Sequence, residues 1–148
     1  ITAGDARNHH DWDTKVIREA PHTTSDIQAK TALAGRARAV LTGNVQMEQI
    51  ASGSSANLSS LVLMLSPGAR ADSVPGLEIK ALDVKASHAA SVGQPDEDHL
   101  LYLMSRGMDP SQARRLVVAG FLAAALARNP VPALGDAVAE RIETFFGG

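Results

Sequence analysis

The hydrophobic period of this sequence changes once, near Gly93, and that change limits the fold more than any single residue does. Up to that point apolar side chains recur at every second position, and beyond it they recur at helical spacing. Ala37, Ala39, Leu41, Val45 and Met47 alternate with Arg36, Arg38, Thr42, Asn44, Gln46 and Glu48, which describes a strand with a long polar face. The run "LVLML" at residues 61 to 65 is apolar on both faces and suits a strand covered on both sides. "SPGA" and "SVPG" read as two Pro-Gly turns, each followed by another short run. Leu77 and Ile79 take odd positions whereas Leu82, Val84 and His88 take even ones, so the inward parity switches between Lys80 and Leu82, which requires a corner or bulge. Short strands, repeated corners, many small residues and only 3% aromatics suit a sandwich or a β-solenoid better than a packed α/β domain, although no strict repeat is visible.

After Gly93 three helices are expected. Asp96 caps the first, in which Leu100, Leu103 and Met104 share a face and Gly107 is the stop. "DPSQ" at residues 109 to 112 places an Asp cap, a Pro at the first helical position and a Gln three after the cap. That second helix carries Ala113, Leu116, Val117, Gly120, Phe121 and Ala124 as its face, with small residues that let a neighbouring backbone approach, and Asn129 and Pro130 end it. A third, from about Pro132, sets Leu134, Val138, Ile142 and Phe145 at helical spacing. Three short helices bury limited surface, so they are expected to lean on the strands or on another protein.

Composition removes several classes of function. A formal charge of −2 gives no support for nucleic-acid binding, and the absence of cysteine excludes disulfides and thiolate ligands from this chain. The longest apolar stretch, Leu116 to Ala127, is broken by Gly120 and falls short of the roughly 20 residues that span a bilayer, and no signal peptide is visible. The expectation is a soluble, cytoplasmic protein with no membrane partner. Because the sequence starts at Ile1 and not at methionine, an upstream region is expected to be missing.

His88 in "DVKASHAASVG" is the most informative candidate. Leu82, Val84, Ala86, His88, Ala90 and Val92 share one parity, so the imidazole points inward with two methyl groups beside it and open space around it. A core histidine hydrogen-bonded to a backbone carbonyl is the competing reading. His9 and His10 in "NHHDWD", with Asp11 and Asp13, diverge in a strand and are read as solvated. His22 in "APHTTSD" sits among turn formers. No nucleophile elbow supports a catalytic triad, and "GRARAVLTG" lacks the spacing of a phosphate-binding loop. Phe121 and the adjacent Phe145 and Phe146 at the tail are the candidates for contact with a partner.

"LEIKALDVKASHAASVGQPDEDHLLYLMSRGM" followed by "ARRLVVAGFL" resembles the C-terminal core of the SufB/SufD family, scaffold proteins of iron–sulfur cluster assembly, with the SufD branch the closer match. "APHTTSD", "AKTALAGRARAVLTG" and "LMLSPGARADSVPGLEI" follow the family in the same order. The resemblance implies a mainly β fold. Residues 1 to 94 would be the C-terminal part of a longer right-handed parallel β-helix, and residues 95 to 148 a small α-helical domain. It further implies a non-enzymatic scaffold of the SUF system that pairs with SufB and docks the SufC ATPase through its helices. His88 would then lie near the SufB interface as a residue implicated in cluster formation. Many SufD proteins have cysteine two places before that histidine, and this chain has Ala86. It is therefore expected to hold no cofactor stably alone, any iron–sulfur cluster lying at an interface where a partner supplies the soft ligands. "LYLMSRGM" also has SufB-like character, which keeps a homodimeric SufB/SufD-type scaffold as an alternative. A β-helix enzyme acting on polysaccharides is a further alternative, disfavoured by one tryptophan and one tyrosine.

Overall fold

A computed structural model describes residues 2–4, 7–127, 135–138 and 140–141. Seven strands precede two helices: β1 (Thr2–Gly4), β2 (His9–Arg18), β3 (Thr24–Leu33), β4 (Arg38–Met47), β5 (Ser55–Met64), β6 (Arg70–Ile79) and β7 (Lys85–Gly93), then α1 (Glu97–Ser105) and α2 (Pro110–Leu126). The strands alternate between two sheets, ordered β1-β3-β5-β7 and β2-β4-β6, and every pairing among the described residues is parallel. His9 stacks on Arg38 and Arg38 on Arg70, while Thr24 stacks on Ser55 and Ser55 on Lys85, so one coil of the chain takes roughly 30 residues. This is a parallel β-helix-like arrangement.

Parity carries the packing. Ala39, Leu41, Val45 and Met47 of β4 are buried between the sheets, as the alternation requires, with Ala56, Leu58, Ser60 and Val62 of β5 facing them. Each large apolar side chain buried here contributes about 1.5–3 kcal/mol of transfer free energy. "LVLML" is indeed covered on both faces: Val62 joins the inner core, and Leu63 and Leu65 pack outward against Val118 and Leu122 of α2. The corners stack as well, through Arg38 N–H to the Asn8 carbonyl (2.8 Å), Arg70 N–H to Ala37 (3.0 Å) and Lys85 N–H to Ser54 (3.0 Å).

One turn assignment and the inward placement of Leu77, Ile79 and Leu82 need correction, whereas the corner after Lys80 lies where the parity switch requires it. "SPGA" does form the turn between β5 and β6, but "SVPG" lies inside β6. Pro75 is accommodated because β6 is an edge strand, where a missing N–H can fall on the unpaired side. Gly76 removes the β-carbon that would meet Asn44 Oδ1 at 2.8 Å on the neighbouring strand. Leu77 and Ile79 stack in register on Val45 and Met47, as their parity demands, yet they are half-exposed because no further coil among the described residues covers them. The parity switch after Lys80 is a corner, and Leu82 stands fully in solvent there.

The helices start where the caps place them. Asp96 accepts the Asp98 N–H at 2.9 Å, and Asp109 forms a complete capping box with Gln112 behind Pro110. Gly107 follows α1 with φ of 95°, a conformation that suits glycine. The buried face of α2 is Ala113, Val118 and Leu122, whereas Leu116, Gly120 and Ala124 face solvent. Both faces of this helix are apolar, so its period alone did not select one; Ala32 of β3 supplies the complementary floor for Val118 and Leu122. Gly120 has nothing close to it, so it serves no backbone approach. Residues 135–138 and 140–141 are helical, and Val138 packs on the same cluster; Pro132, Leu134, Ile142, Phe145 and Phe146 lie outside the described residues.

Candidate functional site

The last coil presents the site. Among the described residues β7 is the edge of its sheet and pairs with β5 alone, and a row of polar contacts on the outer face holds it in register. Asn57 Nδ2 donates to Asp26 Oδ1 at 2.9 Å and Ser87 Oγ donates to Asn57 Oδ1 at 2.7 Å, tying β3, β5 and β7 together. That row fixes its neighbour His88 on the opposite, inner face, directly above Leu58. Ala86 and Ala90 flank it on the same face, as expected.

The inner face of the last coil is far less covered than the same face one coil earlier. Val45, Met47 and Val62 are 0%, 0% and 4% exposed, while Leu77, Ile79 and Val92, which stack on them in register, are 46%, 48% and 41% exposed. His88 lies at this open end and is itself partly buried. Behind it, between the sheets, is a cavity of about 190 Å³ that reaches Trp12 on β2 and is walled by Leu41, Gly43, Leu58, Ser60 and the imidazole. A β-carbon built at Gly43 would stand 3.3 Å from His88 Nε2 and 2.8 Å from Leu58 Cδ2. The imidazole therefore leans back across the gap toward β4, and the lack of a side chain at Gly43 makes its room.

Lys30 is the second unusual group, and sequence reasoning did not single it out. It points to the outer face of β3 but is buried under α2, where its Nζ donates to the Phe121 carbonyl at 2.8 Å and lies 4.7 Å from the centre of the Phe121 ring. Burial pushes its pKa below the usual lysine value. Phe121 is thus engaged within the chain through its carbonyl and its ring. No local signal announces Lys30, since its cover comes from a residue 91 positions later. Gly43 did carry one: an isolated glycine inside an alternating strand marks a close approach.

The remaining histidines do not converge on the site. His9 faces outward from β2, and His10 faces inward with a buried Nε2 that has no hydrogen-bond partner. His22 occupies a corner in a left-handed conformation (φ 55°), its ring lying over Gly53. Among the described residues no three His, Cys, Asp or Glu side chains cluster as a metal site, and no described helix is long and apolar enough to cross a membrane. On α1 and α2, Leu101, Tyr102, Met104 and Leu116 are large apolar or aromatic side chains exposed to solvent.

Residues 1–121 match the family described as SUF system FeS cluster assembly, SufBD core domain. The chain is 35% identical over 143 residues to the iron–sulfur cluster assembly protein SufD of Bacillus subtilis, covering 97% of this chain and 33% of that protein. It is 39% identical over 131 residues to an iron–sulfur cluster assembly SufBD family protein of Mycobacterium tuberculosis, covering 83% of this chain and 33% of that relative. A second such protein, from Mycobacterium bovis, is 35% identical over 114 residues, 77% of this chain and 14% of its own length. The chain therefore spans a third or less of these relatives.

Proposed function

The chain belongs to the SufBD core family of the SUF iron–sulfur cluster assembly system, and on that premise we propose that it acts as a non-catalytic scaffold whose last coil is a seam with a second β-helix. The observation that carries this reading is the uncovered inner face of β6 and β7. Leu77, Ile79 and Val92 occupy core positions of the stack with one layer of cover missing, beside two unpaired strand edges. Such an end invites pairing with another strand edge. SufB is the partner that fits, with a second copy of this chain as the alternative.

Iron–sulfur cluster is the cargo built at that seam. His88 offers a borderline imidazole nitrogen, and the thiolates come from outside these 148 residues, which hold no cysteine, with the partner as their source in this reading. Its Nε2 faces Gly43 in the free chain, so ligation requires the ring to swing outward, and the adjoining cavity gives it the freedom to turn. The exposed side chains of Leu101, Tyr102, Met104 and Leu116 mark the helices as the docking element for the SufC ATPase, whose cycle is relayed through them to the seam.

The test uses the reconstituted complex of full-length protein, SufB and SufC. His88→Ala is expected to lower cluster yield while the complex still assembles; unchanged yield removes His88 from the mechanism. Deleting residues 95 to 148 is expected to abolish SufC binding, and retained affinity contradicts the docking assignment.

A further inference from the structure

Lys30 is mostly covered, its ammonium making a partly buried contact, and no ion pair joins it to a carboxylate among the described residues. An ammonium taken out of water is unfavourable unless it is strongly hydrogen-bonded. Its compensation is the second lone pair of the Phe121 carbonyl, together with the face of the Phe121 ring. α2 has no basic residue in its own last turn, so Lys30 also supplies the cation that its C-terminal half lacks. The apolar contacts of Val118 and Leu122 with Ala32, Leu63 and Leu65 hold the helix down but are non-directional. A charge-assisted bond to one carbonyl is directional and fixes both.

The position of Lys30 on β3 adds a consequence. Its neighbours Ala29 and Thr31, on the inner face of the same strand, wall the cavity that His88 borders, as does Lys30 itself. We propose that Lys30 is the positioning residue that locks α2 in register on the β-stack and conveys displacement of the helix to the cavity wall beside His88. Its bearing on cluster assembly rests on the scaffold function proposed above; the mechanical coupling does not.

Amide hydrogen exchange on the full-length protein tests the coupling without any partner. Lys30→Met keeps the length of the side chain and removes the charge and the donor. Exchange is expected to rise roughly tenfold both in residues 116 to 124 and, across the cavity, in residues 86 to 92, while residues 38 to 47 stay protected. Exchange in 86 to 92 equal to wild type overturns the proposal, as does a uniform rise that includes 38 to 47. Should Lys30→Met not fold, Phe121→Leu, which keeps the carbonyl and loses the ring, is expected to give the same pattern at smaller amplitude, and no change in 86 to 92 again overturns it. In the reconstituted complex, Lys30→Met should reduce ATP-dependent cluster yield several-fold, and an unchanged yield removes Lys30 from any relay to the seam. A wild-type complex that builds no cluster sinks the scaffold reading, and the exchange pattern still decides the role of Lys30.

Discussion

Replacing Gly43 with alanine probes the packing around His88 most directly. Gly43 sits on the inner face of β4, in register with Thr14 on one side and Pro75 on the other. The added methyl meets Leu58 Cδ2 at 2.8 Å, closer than real β-carbons approach, and His88 Nε2 at 3.3 Å, where the ring must yield by a few tenths of an ångström. Overpacking of a buried site costs about 1–3 kcal/mol. Two effects offset it: alanine restricts the unfolded chain, worth about 0.4–1 kcal/mol, and the cavity of about 190 Å³ lets the Leu58 methyls retreat. A net loss of about 1 kcal/mol follows. The assay is urea denaturation of the full-length protein, run as a double-mutant cycle with Leu58→Ala. Leu58→Ala alone loses about 2–5 kcal/mol through the cavity it opens. With the Leu58 methyls gone, the alanine at 43 loses its closest clash and meets only the His88 ring, which can turn into the vacated space, so the double variant should be less destabilised than the sum by about 1 kcal/mol or more. Additivity within about 0.5 kcal/mol would show that the two side chains do not compete for that space. In parallel, the ¹⁵N signal of the His88 imidazole is expected to move in Gly43→Ala, and an unmoved signal refutes the close approach.

Two further outcomes are expected. Leu122→Ala, at a fully buried position under α2, should lose about 2–5 kcal/mol and expose the 94 to 96 connection to protease while β4 and β5 stay protected; equal loss of protection in both regions would show that the helices and strands unfold together. Asp109 is held below the ordinary carboxylate pKa, first by the hydrogen bond from the Ser111 hydroxyl and then by the backbone of Gln112. Its folded pKa is depressed, so the stabilisation is complete above the unfolded value and disappears as pH falls through the folded one. The advantage of wild type over Asp109→Asn in α2 exchange should therefore be present at neutral pH and vanish in acid, and a difference independent of pH would show that the carboxylate charge is not what the cap uses.

How much of this was legible in the sequence depends on where the cover of each residue comes from. Ala39, Leu41, Val45 and Met47 were readable because alternation alone decides which side of β4 faces the core. The capping box at Asp109 and the end of the strands at Gly93 were readable for the same reason, since each depends on residues a few positions apart. Pro75 and Gly76 look like a turn to any local rule, and only the edge position of β6 lets them continue a strand. The face of α2 was read only in part: Ala113 and Phe121 do pack inward, but Leu116 and Ala124 are as apolar as Val118 and Leu122, and the choice lies with Ala32 on β3. Lys30 was invisible, its environment being made by a helix far along the chain.

The half-exposure of Leu77, Ile79 and Val92 was illegible for a deeper reason, and it explains why the proposed seam lies at one end. In an in-register parallel stack each coil is covered by the next, so a coil in the middle and a coil at the end can have the same inner sequence pattern. Polar residues on the outer face satisfy one another along the rows, as Asp26, Asn57 and Ser87 do on one sheet and Glu48 and Lys80 do on the other. The inner face has no such recourse at its last layer, where an apolar surface and an imidazole stand beside unpaired backbone. A residue placed there meets whatever completes the stack, which is why the same histidine reads as core by parity and as a ligand by position.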